Sequence, residues 1–171
     1  MERMWEKVVR SGGPPRRGNV FRGHSYRSLD PKGRLMLPPE YREEVLSRVA
    51  DGRVMLTNNF DGAVTGYPMD VWEQVEASFA EGNKLDPRIR DLERFLISGA
   101  MEVTLDKQGR ILVPPYLRTY AQLDKDLVLA GVGEKFEIWN QAKFEERRRQ
   151  VGLRIDADLA ALADLGVKIK L

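Results

Sequence analysis

Leu29-Asp30-Pro31-Lys32-Gly33-Arg34 is followed by Pro38-Pro39 and Arg42, and the same pattern returns as Leu105-Asp106-Lys107-Gln108-Gly109-Arg110, followed by Pro114-Pro115 and Arg118. Equivalent residues of the two stretches are separated by one constant offset (106 − 30 = 76 and 118 − 42 = 76). Self-similarity at a fixed spacing indicates a repeated structural unit, and it constrains the whole fold. The sequence therefore predicts two copies of one small structure with two similar surfaces.

Each copy is predicted to contain strand, turn, strand, helix, strand, turn, strand and helix. In the first copy we expect strands over 21–29 and 35–37, and then a helix over 40–50 opened by Pro38-Pro39, because proline is tolerated in a first helical turn. A hairpin over 54–67 and a helix from Pro68 follow. That helix is expected to bury a stripe of four residues: Val71, Trp72, Val75 and Phe79.

The second copy follows the same plan, with strands at 127–129 and 136–139 and Phe144 on the next helix. A short helix over 89–97 is expected between the copies. Helical spacing also predicts a C-terminal amphipathic helix over 154–165. We expect this helix to pack against the body of the protein, which the two copies form, with a contact between subunits as the alternative. The large aromatic side chains are interpreted as core: Trp72, Phe79, Trp139 and Phe144.

Composition excludes several classes of protein. The chain has 171 residues, 42% of them hydrophobic and 32% charged, with no cysteine and a single histidine, His24. Thiolate and multi-histidine metal sites are therefore not expected, and neither is a membrane span, which needs roughly 20 apolar residues. Nucleophile-elbow, phosphate-loop and dinucleotide-binding motifs are absent from the sequence. We predict a cytoplasmic, non-enzymatic protein without cofactor or metal, in which His24 is a surface residue of a strand.

The repeated Asp-x-x-x-Arg turn has a structural and a functional interpretation. Asp30 and Asp106 can accept turn N–H groups, and Gly33 and Gly109 suit a strained turn, so these four are predicted to stabilise the turns. The arginines could form surface salt bridges, or they could bind phosphate or guanine with their forked guanidinium groups. Net charge is only +2, yet basic residues collect on the turns and strands of the repeat. The candidate DNA-contacting residues are Arg34, Arg110, Lys32, Lys107 and Arg27.

Together with Phe21-Arg22-Gly23, Pro38 and Tyr41-Arg42, the two Asp-x-x-x-Arg stretches closely resemble the MraZ family, whose members carry two SpoVT-AbrB domains in one chain. The resemblance implies an α+β protein: an AbrB-like swapped-hairpin β-barrel formed as a pseudo-dimer within one chain, with short flanking helices. We expect the following division: a flexible leader over 1–20, repeats over 24–71 and 100–143, a helical connector over 72–99 and a C-terminal helical segment over 144–171.

The resemblance also implies function. It points to a transcriptional regulator that binds double-stranded DNA at direct repeats in the promoter of the division and cell-wall gene cluster, including its own, and that associates with the nucleoid. Homo-oligomeric rings are implied as well, with the motif arginines, Arg34 and Arg110, tied to DNA. An AbrB-like antitoxin, or a structural adaptor without DNA affinity, is the alternative. Family members usually begin Met-Phe-Arg-Gly, so we expect Val20, before Phe21-Arg22-Gly23, to be the native start.

Overall fold

The structure, a computed structural model, describes residues 20–171, so the expectations for residues 1–19 lie outside the described part. Strands and helices alternate along the chain in two similar series. The strands are β1 (His24–Ser28), β2 (Arg34–Met36), β3 (Arg53–Asn58), β4 (Val64–Pro68), β5 (Met101–Thr104), β6 (Arg110–Leu112), β7 (Asp126–Gly131) and β8 (Phe136–Asn140). The helices are α1 (Pro39–Arg48), α2 (Met69–Ala80), α3 (Pro87–Leu96), α4 (Pro115–Tyr120) and α5 (Gln141–Asp164).

The strands of the two copies pair with each other. All ladders are antiparallel, and six strands form one sheet in the order β1-β7-β8-β4-β3-β5. β1 of the first copy pairs with β7 of the second, whereas β5 of the second copy pairs with β3 of the first. β2 and β6 form a separate two-stranded ribbon. The predicted α+β class is confirmed, with an antiparallel sheet and several short helices.

The main core is built from equivalent residues of both copies. In the ribbon, Leu35 lies opposite Ile111, and both side chains are buried. The helices that follow the ribbon strands add further buried side chains to the same cluster. Four pairs of core residues are separated by the repeat offset of 76 (111 − 35 = 76): Leu35 and Ile111, Leu37 and Val113, Tyr41 and Leu117, Val45 and Ala121.

Helices α1 and α4 begin in the same way. The residue before each of them is the first proline of a Pro-Pro pair, Pro38 or Pro114, and the second proline occupies the first turn. Proline lacks an N–H that would have no partner there, and its fixed φ suits the helix. Tyr41 on α1 also ties the segment before β1 to the core, because its hydroxyl donates to the carbonyl of Gly23 at 2.8 Å. Burial raises the pKa of Tyr41 to about 12.

The expected buried stripe of α2 is wrong in its second half. Val71 and Trp72 are buried, but Val75 and Phe79 are only half-buried. The helix packs on β3 and β4, and its buried residues all lie within its first turn. Periodicity gave the correct face of the helix but not how far along it the sheet reaches. Trp139 is buried as predicted, and Phe144 packs on it half-buried, with ring centroids 6.0 Å apart.

The predicted separate C-terminal helix over 154–165 is also wrong. One continuous helix, α5, runs from Gln141 to Asp164, and none of its residues is buried. Its C-terminal half does not pack on the body as expected: Leu153 is 76% exposed and Ile155 46%. Helix α5 packs against β7 and β8, and its N-terminal end directly follows β8 in the chain. Within residues 20–171, no helix is long and apolar enough to cross a membrane.

Candidate nucleic-acid interface

The aspartates of the two Asp-x-x-x-Arg turns accept equivalent hydrogen bonds, and in the second turn Arg110 Nη2 also donates to Gln108 Oε1 at 2.7 Å. The Asp30 carboxylate accepts from the backbone N–H groups of Lys32 at 2.9 Å and Arg34 at 2.8 Å, and from Arg34 Nε at 2.7 Å. The Asp106 carboxylate accepts from the backbone of Gln108 and Arg110, each at 2.9 Å, and from Arg110 Nε at 2.7 Å. Each aspartate thus closes its own turn and orients the arginine that follows.

Both carboxyl groups are held in the ionised form. The pKa of Asp30 is lowered below its ordinary 3.8, first by the backbone N–H of Arg34; desolvation opposes this shift and the Arg34 guanidinium adds to it. The pKa of Asp106 is lowered in the same way by the backbone and side chain of Arg110. Two ionised carboxylates, each beside its own arginine, do not form an acid–base pair.

The turn glycines adopt a backbone conformation that other residues rarely take. φ is +84° at Gly33 and +79° at Gly109, in the left-handed region that favours glycine. Both glycines are also buried, although each lies between an exposed residue, Lys32 or Gln108, and the half-buried motif arginine. Each N–H donates to the carbonyl of the aspartate that starts its turn, at 2.9 Å.

The ribbon presents both motif arginines on one face. Arg34 pairs with Leu112 and Arg110 pairs with Met36, while the residues between them are buried. Because side chains alternate between the two faces of a strand, all four residues lie on the outer face. Arg34 and Arg110 occupy diagonal corners of that face. The ladder continues into the turns: the N–H of Val113 donates to the carbonyl of Gly33 at 2.9 Å and that of Leu37 to Gly109 at 3.0 Å.

The sequence interpretation missed two outer-face residues. Met36 is 37% exposed and Leu112 50%, so each presents an apolar side chain between the arginines. They are separated by the repeat offset (112 − 36 = 76), and they alternate with buried leucine, isoleucine and valine. That alternation was the available signal, but a three-residue strand is too short for it to be convincing without knowledge of the pairing.

The other candidate DNA-contacting residues lie in the two turns and on strand β1. Lys32 and Lys107 are exposed within the two turns, beside Arg34 and Arg110 respectively. Arg27 lies on β1, and its Nε donates to the hydroxyl of Ser25 at 3.0 Å rather than to either turn. His24 is an exposed residue of β1, as predicted, with its ring 5.5 Å from that of Phe144.

The chemistry of this face favours an anion over a metal or a small molecule. Guanidinium and ammonium groups donate hydrogen bonds and accept none, so the face suits phosphate or the acceptor edge of a base. Among residues 20–171 there is no group of three or more His, Cys, Asp and Glu side chains that could hold a metal. A two-stranded ribbon also has the width to enter the major groove of B-DNA, which is about 12 Å wide.

Known proteins of similar sequence identify the family. A family model described as "MraZ protein, putative antitoxin-like" matches the chain twice, over residues 20–95 and 96–161. A transcriptional regulator MraZ of Solidesulfovibrio magneticus is 68% identical over 151 residues, covering 88% of this chain and 99% of that protein. Proteins with the same name from Nitratidesulfovibrio vulgaris and Pseudomonas aeruginosa are 51% and 40% identical, covering 74% and 86% of this chain and 84% and 93% of theirs. On these grounds the chain belongs to the MraZ family.

Proposed function

We propose that this chain is a sequence-specific DNA-binding transcriptional regulator that reads DNA with the outer face of the β2–β6 ribbon. The observation that carries the proposal is the diagonal arrangement of Arg34 and Arg110 on that face, each oriented by its own aspartate. The names of the relatives as transcriptional regulators support it independently. No enzymatic step and no cofactor are part of this function.

The side chains of the ribbon suit direct readout in the major groove. An arginine fork binds the O6 and N7 atoms of guanine, and apolar side chains such as Met36 and Leu112 contact the methyl group of thymine. Lys32 and Lys107 suit the flanking phosphates, since a lysine ammonium acts as a mobile point charge. Arg27, on the neighbouring strand β1, is a weaker candidate for a backbone contact.

We also infer that the two copies form a swapped-hairpin pseudo-dimer of the AbrB type. The exchanged pairings support this: β1 lies beside β7, β5 lies beside β3, and β2 lies beside β6. Each copy therefore supplies its first strand to the other copy. A single chain can then present the two arginine turns that a protein with one copy would need a dimer to present.

The expected binding sites are direct repeats in the promoter of the division and cell-wall gene cluster, including the gene of this protein. We expect the chain to act as a nucleoid-associated homo-oligomer that forms a ring. In a ring, neighbouring subunits bind successive repeats, and binding several sites at once strengthens weak single-site affinity. Light scattering coupled to size exclusion measures the subunit number, and a monomeric mass would contradict this part of the proposal.

The test of DNA binding compares mobility shifts with the promoter duplex and a scrambled duplex. Wild type and the Arg34→Ala plus Arg110→Ala double variant are measured at one salt concentration. Each bidentate contact to a base contributes about 1–3 kcal/mol of discrimination. We therefore expect the double variant to lose preference for the promoter by at least about 30-fold, while weak binding to both duplexes persists.

A matched control removes two arginines that are also paired with aspartate. Arg88 pairs with Asp86, the residue before helix α3, and Arg94 pairs with Asp91 on that helix, which packs on β3. The Arg88→Ala plus Arg94→Ala variant should bind like wild type. Unaltered promoter preference in the Arg34 and Arg110 variant would remove these residues from the mechanism. Absence of a shift by wild type at low salt would favour the protein-binding alternative.

A further inference from the structure

The repeat contains a second pair of arginines that the ribbon face does not use. Arg42 on α1 and Arg118 on α4 are separated by the repeat offset (118 − 42 = 76) and lie four residues after the first proline of each Pro-Pro pair. Both side chains are half-buried. Burying part of a charged side chain costs free energy unless its neighbours compensate the charge, so the surroundings of these arginines are informative.

Each of these arginines lies on the turn of the other copy. A Cβ atom built on Gly109 would come within 2.1 Å of Arg42 Nε and 2.2 Å of its Cζ. A Cβ atom on Gly33 would come within 2.7 Å of Arg118 Cζ. The guanidinium groups therefore occupy the space that any larger residue would need, which explains why both turn glycines are buried. The arrangement is reciprocal between the copies.

These arginines are electrically less compensated than the motif arginines. Arg34 and Arg110 each share an ion pair with an aspartate. Across residues 20–171, no carboxylate forms an ion pair with Arg42 or Arg118, and the Nε of each is buried without a hydrogen-bond partner. Arg42 Nη2 donates a hydrogen bond at 3.5 Å to the sulfur of Met36, a residue of the outer ribbon face. Arg42 thus adds positive charge beside Arg110 at one end of that face.

We propose that Arg42 and Arg118 are a second pair of cations that bind DNA phosphates, so that each DNA-contacting turn is built from both copies. Arg118 completes the turn of Arg34, and Arg42 completes the turn of Arg110. The ligand is the phosphodiester backbone, which is recognised by charge and not by base sequence. This inference rests on the proposed DNA binding by the ribbon.

Salt dependence separates a phosphate-binding arginine from one that only supports the fold. Each phosphate contact contributes about 0.9 to the slope of log Kobs against log salt concentration. Binding to the promoter duplex and to a scrambled duplex is measured at salt concentrations from about 50 mM to about 300 mM. For Arg42→Gln plus Arg118→Gln we expect the slope to fall by about 1.8 on both duplexes, with the preference for the promoter unchanged.

An unchanged slope overturns the proposal. If the promoter preference is lost while the slope stays unchanged, the arginines only hold the turns. Wild type still binds in both of those cases, whereas wild type that binds neither duplex overturns the proposed function as well. Arg42→Lys plus Arg118→Lys, which retains the charge, should keep most of the slope. If this variant loses as much slope as the glutamine variant, the effect is structural and the proposal is overturned.

The matched control removes two arginines of helix α5. Arg149 and Arg154 pair with Glu146 and Asp158 on their own helix. Arg149→Gln plus Arg154→Gln should leave the slope within about 0.5 of wild type, since both residues lie on α5, which packs against β7 and β8. A fall as large as that of the Arg42 and Arg118 variant would show that net charge alone sets the slope, and would overturn the proposal.

Discussion

The aspartate of each repeated turn stabilises the turn, whereas the arginine is available to bind a ligand. Asp30 uses one carboxylate to accept two backbone N–H groups and the Nε of Arg34, which closes the turn and limits the arginine rotamers. The outer edge of that guanidinium stays available for a ligand, because a fork has five N–H donors. Glycine in the same turn permits the left-handed backbone and leaves room for Arg118.

At this scale we predict a specific dependence of stability on pH. A carboxyl whose pKa is lowered by folding contributes stability that is complete above its unfolded pKa, about 3.9, and lost as the pH falls through the folded pKa. Asp30 and Asp106 both have lowered pKa values. Urea unfolding at pH 7, 5, 4 and 3 should show that Asp30→Asn plus Asp106→Asn is less stable than wild type at pH 7. The difference should narrow below pH 4.

The matched control for this experiment is Asp156→Asn plus Asp164→Asn. Both aspartates are exposed on α5 and accept no hydrogen bond from an arginine within the described residues. This variant should follow the wild-type curve. A stability difference for the Asp30 and Asp106 variant that stays constant from pH 7 to pH 3 would contradict the assignment.

A second prediction at the residue scale concerns the space above the turn glycine. Gly109 and Gly133 have similar φ values, +79° and +85°, but a Cβ on Gly133 would meet nothing within 4 Å. Both alanine variants should lose about 1–2 kcal/mol for the left-handed backbone. Gly109→Ala should lose more, because it also displaces Arg42.

A double-mutant cycle measures that excess. In an Arg42→Gln background, the cost of Gly109→Ala should fall to that of Gly133→Ala, giving a coupling of about 0.5 kcal/mol or more between Gly109 and Arg42. Unfolding by guanidinium chloride provides the free energies. Equal costs for the two glycine variants in the wild-type background would mean that the guanidinium moves aside freely.

At the scale of elements, helix α5 divides into two parts with different surroundings. Its first turns follow β8 and lie against the sheet, and Arg147 forms an ion pair with Asp61 at 2.5 Å. Beyond Gln150, the side-chain hydrogen bond present in the described residues lies within the helix, between Arg154 and Asp158. The second part therefore adds little to the stability of the body.

We predict that a chain ending at Gln150 keeps the fold of the body. Its melting temperature should lie within about 3 °C of wild type, because few buried apolar contacts are lost. Differential scanning calorimetry gives the temperature, and light scattering on the same samples reports whether the helix end joins subunits. The Arg147→Ala variant, which breaks the ion pair with Asp61, serves as a comparison within the packed part. A loss of more than about 10 °C on truncation would show that the outer half packs on the body.

At the scale of the whole molecule, the two copies are interdependent. β1 and β2 of the first copy find their partners in β7 and β6 of the second. The main core likewise combines side chains from both copies. One copy alone would leave these edges and this apolar surface exposed to water, which favours unfolding or association.

We therefore predict that the fragment 20–99 does not fold as a monomer. Its near-ultraviolet circular dichroism should lack the signal of a packed Trp72, and any cooperative unfolding should depend on protein concentration, because the missing strands must come from another molecule. Adding the fragment 100–171 should restore a transition at equal concentrations. A cooperative, concentration-independent transition of 20–99 alone would contradict the interdependence of the copies.

The sequence by itself determined the repeat, the two turns, most strand and helix positions and the resemblance to the family, because these depend on neighbouring residues and on a fixed offset. It did not determine how far the sheet covers α2, nor that one helix runs from Gln141 to Asp164, since burial depends on elements distant in the chain. The pairing of β2 with β6 decided that Arg34 and Arg110 share one face, with Met36 and Leu112 between them. The tertiary structure alone brought Arg42 onto Gly109 and Arg118 onto Gly33, because those contacts join residues of different copies.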